Sequence, residues 1–321
     1  MISPMIDVSI VIVCMDNWDN LSRCLDSIRA NTSVTYEVLV TAYLFSKENL
    51  DRLRKGYPWV KIVESDEIRG FSENNNLALR QAVGRYCFVL NDDTELRSPA
   101  IDRLVSTMDS QPDDTAVMSP VLLNPDGTVQ VCGRPPMNWH TYMLMRLHLW
   151  DETRQTRYVG HSGIFRTYNI IGAAFLIRTD IFRECGWFDE RYFFTPEDIA
   201  LSTLLNRKGY RCMVDTEASL IHFGGMSGLS PSMVQSATIP AAAKGDLEFY
   251  SGGNILARMV LGLFIFIVSG LTIPFNYYRQ FRNPKARIYR PMIVGYGNVL
   301  KSIFSRKSPK EIFITYYKKL K

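Results

Sequence analysis

The chain lacks the cysteine spacing that builds metal and disulfide scaffolds. Its six cysteines, Cys14, Cys24, Cys87, Cys132, Cys185 and Cys212, are scattered over 321 residues and form no C-x-x-C pair. That excludes a zinc ribbon and a dithiol redox motif. Several of these cysteines sit in apolar runs, where a reduced thiol behaves as a small hydrophobe, so a reducing compartment is expected. The opening MISPMIDVSIVIV carries no Lys or Arg before its apolar run. It lacks the basic n-region of a signal peptide and reads as a first strand. Internal repeats and low-complexity segments are also missing. One apolar run comes near the length of a bilayer span, and it falls short. Fifteen residues separate Arg258 from Pro274, about 22 Å of helix at ~1.5 Å per residue, where a span wants about 20 residues.

What is present begins with an uneven charge. The net charge of +5 is mild. From Lys244 to Lys321, however, fourteen Lys/Arg stand against three Asp/Glu, a net +11 that leaves the preceding residues at −6. An acidic body with a basic tail suggests a tail that meets anions. The tail is interleaved with the apolar run and followed by Tyr277, Tyr278, Arg279, Phe281, Arg282, Lys285, Arg287 and Arg290. Such a pattern suits an anionic membrane surface better than nucleic acid. A peripheral or monotopic attachment is expected, with a true span or a buried helix at a homo-oligomer contact as the other readings.

Strand and helix patterns alternate along the first 123 residues. Val8–Met15, Glu37–Ala42, Val60–Val63 and Tyr86–Leu90 read as strands. Helix faces lie at Leu21, Cys24, Leu25 and Ile28, over Leu50–Gly56, and over Ser72–Val83 with Leu77, Leu79 and Val83 inward. This alternation predicts an α/β fold with a mostly parallel sheet and helices on both faces. Ligands of such sheets bind beyond the carboxyl ends of the strands. Residues 124–168 are rich in Pro, Gly and aromatics and read as an irregular insertion over a cleft. Ile170–Arg178 reads as a further strand. The expected organisation is a catalytic domain over 1–240, with halves 1–123 and 124–240, and a helical tail over 241–321.

Three places carry chemistry. At Leu90-Asn91-Asp92-Asp93-Thr94, a buried strand ends in amide and carboxylate groups. A turn with a helix cap would explain them. So would a hard divalent cation, Mg²⁺ or Mn²⁺, shared with substrate phosphates. The second place is Thr195-Pro196-Glu197-Asp198, where Thr195 would cap a helix starting at Pro196. Its carboxylates either complement the helix dipole or supply a general base. Trp187, Phe188, Tyr192, Phe193 and Phe194 surround it in sequence and could stack on sugar rings. The third is His222, at the end of Leu220-Ile221-His222 before Gly224-Gly225. It reads as a structural imidazole or a metal ligand.

In this order, the pieces resemble the family 2 glycosyltransferases, of the nucleotide-sugar-binding GT-A fold. The nearest resemblance is to bacterial rhamnosyltransferase-like enzymes of surface polysaccharide assembly. It covers about Val8 to Gly225. It rests on Arg69-Gly70-Phe71-Ser72-Glu73-Asn74-Asn75-Asn76-Leu77, Asn91-Asp92-Asp93, Gly172-Ala173-Ala174-Phe175-Leu176-Ile177-Arg178, Gly186-Trp187-Phe188-Asp189-Glu190, Glu197-Asp198 and Ile221-His222. The resemblance implies that Asn91 and Asp93 hold the metal on the donor diphosphate, with His222 as a third ligand. It implies that Asp198 is the base on the acceptor hydroxyl. Cys14, Asp16, Asn75, Asn76, Asp92 and Gly172 fall to the donor side, and Trp187, Asp189 and Glu197 to the acceptor side. The implied donor is a dTDP- or UDP-sugar, and the implied acceptor a lipid-linked glycan at the cytoplasmic face of the inner membrane.

Two departures stand out. The stretch after the second strand, Val40-Thr41-Ala42-Tyr43-Leu44-Phe45-Ser46, has no acidic residue for a nucleoside, which shifts that role toward Asp16, Asp66 or Glu67. Ala200 and Leu204 stand where the family often has Asp and Arg. A nucleotidyltransferase is a rival reading, but Val13 to Asn17 lacks the basic phosphate-binding loop it needs. A degenerate sugar-binding subunit is the non-enzymatic alternative.

Overall fold

A computed structural model describes residues 5–224, 233–286 and 288–320. Gly225 and Arg287 lie outside the described residues. The first half alternates as expected: β1 (Val8–Cys14), α1 (Trp18–Asn31), β2 (Tyr36–Tyr43), α2 (Lys47–Gly56), β3 (Val60–Ser65), α3 (Phe71–Leu79) and β4 (Tyr86–Asn91). Then come β5 (Thr94–Glu95), α4 (Ala100–Ser110), β6 (Thr115–Leu123), α5 (Trp139–Arg146), β7 (Ile164–Thr167), β8 (Ala174–Arg178), α6 (Thr179–Glu184), α7 (Glu197–Arg207) and β9 (Arg211–His222). The helices α8 (Gln235–Ser251), α9 (Ile255–Arg282), α10 (Tyr289–Ser302) and α11 (Pro309–Tyr317) complete the chain.

The sheet runs β3-β2-β1-β4-β8-β6-β9-β5, with β7 on β9. Pairings are parallel from β3 to β4 and between β6 and β9. They turn antiparallel at β4–β8, β6–β8, β5–β9 and β7–β9. The sheet is therefore mixed; the expected parallel character belongs to its first half, where each strand returns through a helix.

Alternation along β1 shows why both faces are covered. Val8, Ile10 and Ile12 pack with Leu21, Leu25, Ile28, Ile101 and Leu104 of α1 and α4. Val11, on the other face, packs with Leu79, Phe182, Leu201 and Leu205 of α3, α6 and α7. Period-two side chains thus feed two cores. Helix α3 stops at Leu79, short of the expected Val83, which is 63% exposed. The helix of the second acidic site starts at Glu197 with Pro196 as its cap residue, and Thr195 makes no side-chain cap bond.

The C-terminal helices form a third layer on the sheet domain. Phe193 packs with Ala237, Ala241, Ile312 and Phe313, and Ile199 packs with Leu247, Leu261 and Val299. Lys310 pairs with Glu73 at 2.6 Å. Lys244, counted in the sequence as part of the basic tail, is buried instead. Its Nζ donates to the carbonyls of Ile303 at 3.2 Å and Ser305 at 2.7 Å. The boundary expected at 240 falls inside α8, whose Pro240 is buried. Helix α9 also runs through Pro274 to a length of 28 residues. The tail is thus continuous in packing with the domain.

Candidate active site

The strand end of β4 delivers the first carboxylates. Asp92 and Asp93 are both buried in the turn between β4 and β5. Neither Asp92 oxygen has a well-formed hydrogen bond; its neighbours are the Cys14 thiol and nearby backbone N–H groups. Burial pushes its proton affinity up to about 7, and the adjacent Asp93 charge adds to this. Burial likewise pushes the Cys14 thiol well above its usual range.

Strand β9 brings His222 alongside. Thr94 pairs with His222 across β5 and β9, and Phe223 N–H donates to the Asp93 carbonyl at 2.9 Å. His222 Nε2 lies 3.5 Å from Asp93 Oδ1. Two ligands at adjacent positions on a cation with bonds near 2.1 Å would stand about 3 Å apart, so the pair suits a shared ion. Among the described residues no group of three or more His, Cys, Asp or Glu side chains converges for a metal. A two-residue hold, with Asn91 at the end of β4 beside it, suits Mg²⁺ or Mn²⁺, which takes its remaining ligands from water and substrate phosphate.

The second acidic site is joined to the first through β8. Asn91 N–H donates to Ala173 O at 2.9 Å. The preceding Gly172 donates its N–H to Asp198 Oδ2 at 3.1 Å. A Cβ on Gly172 would stand 3.5 Å from both Asp198 Cβ and Glu197 Oε1, so a small residue keeps room beside the carboxylates. Asp198 sits in the first turn of α7 and also faces Arg134 Nη1 at 3.6 Å. Arg134 in turn meets Glu152 at 3.3 Å. Glu197 is buried, with Oε2 lacking a hydrogen-bond partner. Burial first, and the Asp198 charge second, raise its proton affinity well above the ordinary carboxylate range.

Other expected site residues carry hydrogen bonds within the protein. Asp16 Oδ1 accepts from Ser46 N, Ser46 Oγ and Asn49 Nδ2 at 2.9–3.0 Å, which ties the β1–α1 turn to the start of α2. Asn75 donates to Phe71 O one turn back at 3.0 Å. Asn76 donates to Phe188 O and Glu190 Oε1, both at 2.9 Å, and accepts from Phe188 N–H at 3.1 Å. Gly70 lets its backbone approach Phe193, where an added Cβ would stand 2.0 Å from the carbonyl oxygen. Gly70 and Asn76 of the Arg69–Leu77 motif thus hold the 186–194 segment, while Asn75 bonds within its own helix. Asp66 is exposed and Glu67 pairs with Arg69 at 2.7 Å.

The expected acceptor residues divide. Trp187 and Asp189 line a groove of about 810 Å³ with Tyr192, Arg207 and Tyr250, while Glu197 and Asp198 lie off it. Asp189 is also held by Arg191 at 2.6 Å. Ala200 and Leu204, the departures from the family pattern, line the same groove. The cation beside Asp198 comes from Arg134 instead. Arg134 and Glu152 were missed in the sequence because residues 124–168 carry no period that marks them.

Residues 9–186, more than half of the chain, match the model of Glycosyl transferase family 2. The chain is similar to the O-antigen biosynthesis protein RfbC of Myxococcus xanthus, with 28% identity over 224 residues that cover 67% of this chain and 17% of that protein. It thus spans a small part of that relative's length. Similar solved structures include GalNAc-T7 with UDP, GalNAc and Mn²⁺, at a TM-score of 0.54 and 18% identity, covering 72% of this chain and 47% of that one. Another is the mannosyltransferase PcManGT from Pyrobaculum calidifontis with GDP-Man and Mn²⁺, at a TM-score of 0.52 and 12% identity, covering 95% and 89%. At these identities the structural likeness establishes the fold. With its mixed sheet, flanking helices and family match together, the chain belongs to glycosyl transferase family 2 and has the GT-A fold.

Proposed function

We propose that this glycosyltransferase is a divalent-metal-dependent, inverting enzyme. It moves a hexosyl or deoxyhexosyl unit from a dTDP- or UDP-sugar to a lipid-linked glycan in surface polysaccharide assembly. The observation that carries the reading is the short path between the two acidic sites: Asp198 is held by Gly172, and the adjacent Ala173 is bonded to Asn91 at the end of β4. A base and a diphosphate site can then flank one sugar.

In the proposed step, Asp198 takes the proton of the acceptor hydroxyl. That oxygen forms the new bond to the anomeric carbon as the carbon–oxygen bond to the diphosphate breaks, and the electron pair leaves with the nucleoside diphosphate. A bound Mg²⁺ or Mn²⁺, held by Asp93 and His222 with Asn91 beside them, would supply positive charge for the leaving group. Burial and the Asp198 charge favour the neutral form of Glu197, a poor nucleophile, which supports a single displacement. Asp198→Asn is expected to lower transfer by roughly 10²–10⁴-fold and to leave Mn²⁺-dependent UDP binding intact. Turnover within threefold of wild type would move the base elsewhere.

Helix α9 supports attachment to a membrane. Among the described residues it is the one helix long and apolar enough to cross a bilayer by length and composition, and only 22% of its most apolar stretch is buried. Its buried stripe, Leu261, Gly262, Ile265, Ser269 and Asn276, runs along the helix. Leu256, Met259, Leu263, Ile267, Leu271 and Phe275 are exposed, as are the basic Arg279, Arg282, Lys285 and Arg290. One flank held against the protein along its length favours a helix lying in the bilayer surface, at the cytoplasmic face, over one that spans it. Full-length protein should float with anionic liposomes in high salt, and a Leu263→Glu, Ile267→Glu double variant should not. Wild type that stays unbound and dimeric without detergent would make α9 a homo-oligomer contact.

A further inference from the structure

We propose that Gln130 is a positioning residue that fixes the tautomer of His222 and turns its Nε2 lone pair toward the cation site. The inference rests on the metal reading given above. It is carried by a hydrogen-bond relay whose direction is forced at every step.

The relay starts at the surface, in the turn after β6. Asn124 N–H donates to Thr128 O at 2.7 Å, and Gly127, at φ +84°, closes the turn. Gln130 returns along β6, donating its N–H to Leu122 O at 2.8 Å. An ionised Asp126 carboxylate can only accept, so the Thr128 hydroxyl donates to it, at 2.6 Å. The Thr128 oxygen therefore accepts from Asn124 Nδ2 at 2.9 Å. That leaves Asn124 Oδ1 to accept from Gln130 Nε2 at 2.8 Å. The same Nε2 donates to the backbone carbonyl of His222 at 2.8 Å, which independently sets the amide orientation. Gln130 Oε1 is then the atom 2.8 Å from His222 Nδ1. An amide oxygen cannot donate, so Nδ1 carries the hydrogen.

In the neutral ring, Nε2 is then the acceptor. It points at Asp93 Oδ1, another acceptor, 3.5 Å away. On the metal reading, the bare Nε2 is the ring nitrogen placed to bind the cation beside Asp93. Metal-bound histidines are commonly oriented through their other ring nitrogen in this way, and loss of that partner costs roughly 10- to 100-fold in metal affinity or activity. Gln130 lies 92 positions from His222 in sequence.

The test uses the full-length chain and Mn²⁺ alone. Free Mn²⁺ is read by electron paramagnetic resonance, and the ring state by ¹⁵N NMR with His222 assigned from His222→Gln. In wild type with a neutral ring, Nδ1 should be protonated and Nε2 bare. Gln130→Leu should weaken Mn²⁺ binding by roughly 10- to 100-fold and lose the single tautomer. Gln130→Glu, which still accepts from Nδ1, should restore much of both. Thr128→Val, at an exposed position, should show a smaller loss in the same direction, and it keeps the test open if Gln130→Leu does not fold. A folded Gln130→Leu that binds Mn²⁺ within twofold of wild type, or a wild-type ring protonated at Nε2 alone, overturns the inference and leaves the metal site standing. Wild type that binds no Mn²⁺ overturns both.

Discussion

The carboxylate pairs Asp92-Asp93 and Glu197-Asp198 are built alike from different elements. Asp92-Asp93 ends a strand, and Glu197-Asp198 opens a helix. In each pair one member is buried and has a proton affinity raised first by that burial: Asp92 in the first, Glu197 in the second. The other member faces a partner from a distant element, His222 for Asp93 and Arg134 for Asp198. Two anions side by side in a low-dielectric site repel, which adds to the cost of burying both as charges. The comparison teaches that adjacency in sequence does not mean shared chemistry. In each pair one carboxylate meets a partner from a distant element, while burial pushes its neighbour toward the neutral form.

The largest test of this division is in the first pair. Asp93→Ala is expected to abolish Mn²⁺-dependent UDP binding, measured by calorimetry, with the thermal midpoint little changed. Asp92→Asn keeps the shape of a carboxyl whose proton affinity burial raises to about 7, and should weaken the same binding only a few-fold. If both variants lose binding equally, the pair acts as one unit and the comparison fails at the strand end. If Asp93→Ala binds as wild type does, the cation is held elsewhere.

The sequence made the two pairs visible because each sits where a periodic element meets polar residues. The strand ending at Asn91, the helix opening at Glu197 and the strand ending at His222 all announce their ends locally. The partners of those residues do not. Gln130 and Arg134 reach His222 and Asp198 across 92 and 64 positions from a segment with no helical or strand period. Nothing local distinguishes them from other polar residues of residues 124–168. The internal bonds of the expected donor-side residues are equally silent in the sequence. Asp16 and Asn76 tie separate segments together, and Asn75 bonds one turn back in its own helix. A buried polar group must be paired, and sequence does not say whether the pair is a ligand or a backbone carbonyl. The helical tail is legible as apolar and basic, but the burial of Lys244 is not, because its two carbonyl partners lie some 60 positions downstream.

The smallest and most discriminating effect is expected at Glu197→Gln. The amide matches a protonated carboxyl in size and charge, so transfer should stay within about threefold of wild type, unlike Asp198→Asn. Stability should separate the two forms by pH. Burial raises the folded-state proton affinity of Glu197 above its unfolded value of 4.5. For a raised group, the stabilising contribution is fully present below the unfolded value and is lost as pH climbs through the folded one. Wild type should therefore lose stability from about pH 5 upward, as folding comes to require either a bound proton or a buried charge. Glu197→Gln has no proton to lose. Its urea midpoint, compared with that of wild type at pH 5 and pH 8, should be close at the lower pH and higher at the upper. An offset that is the same at both would show that Glu197 does not hold its proton in the folded state. A hundredfold loss of transfer with no change in stability would make Glu197 the base, and Asp198 the member of the pair that only fills space.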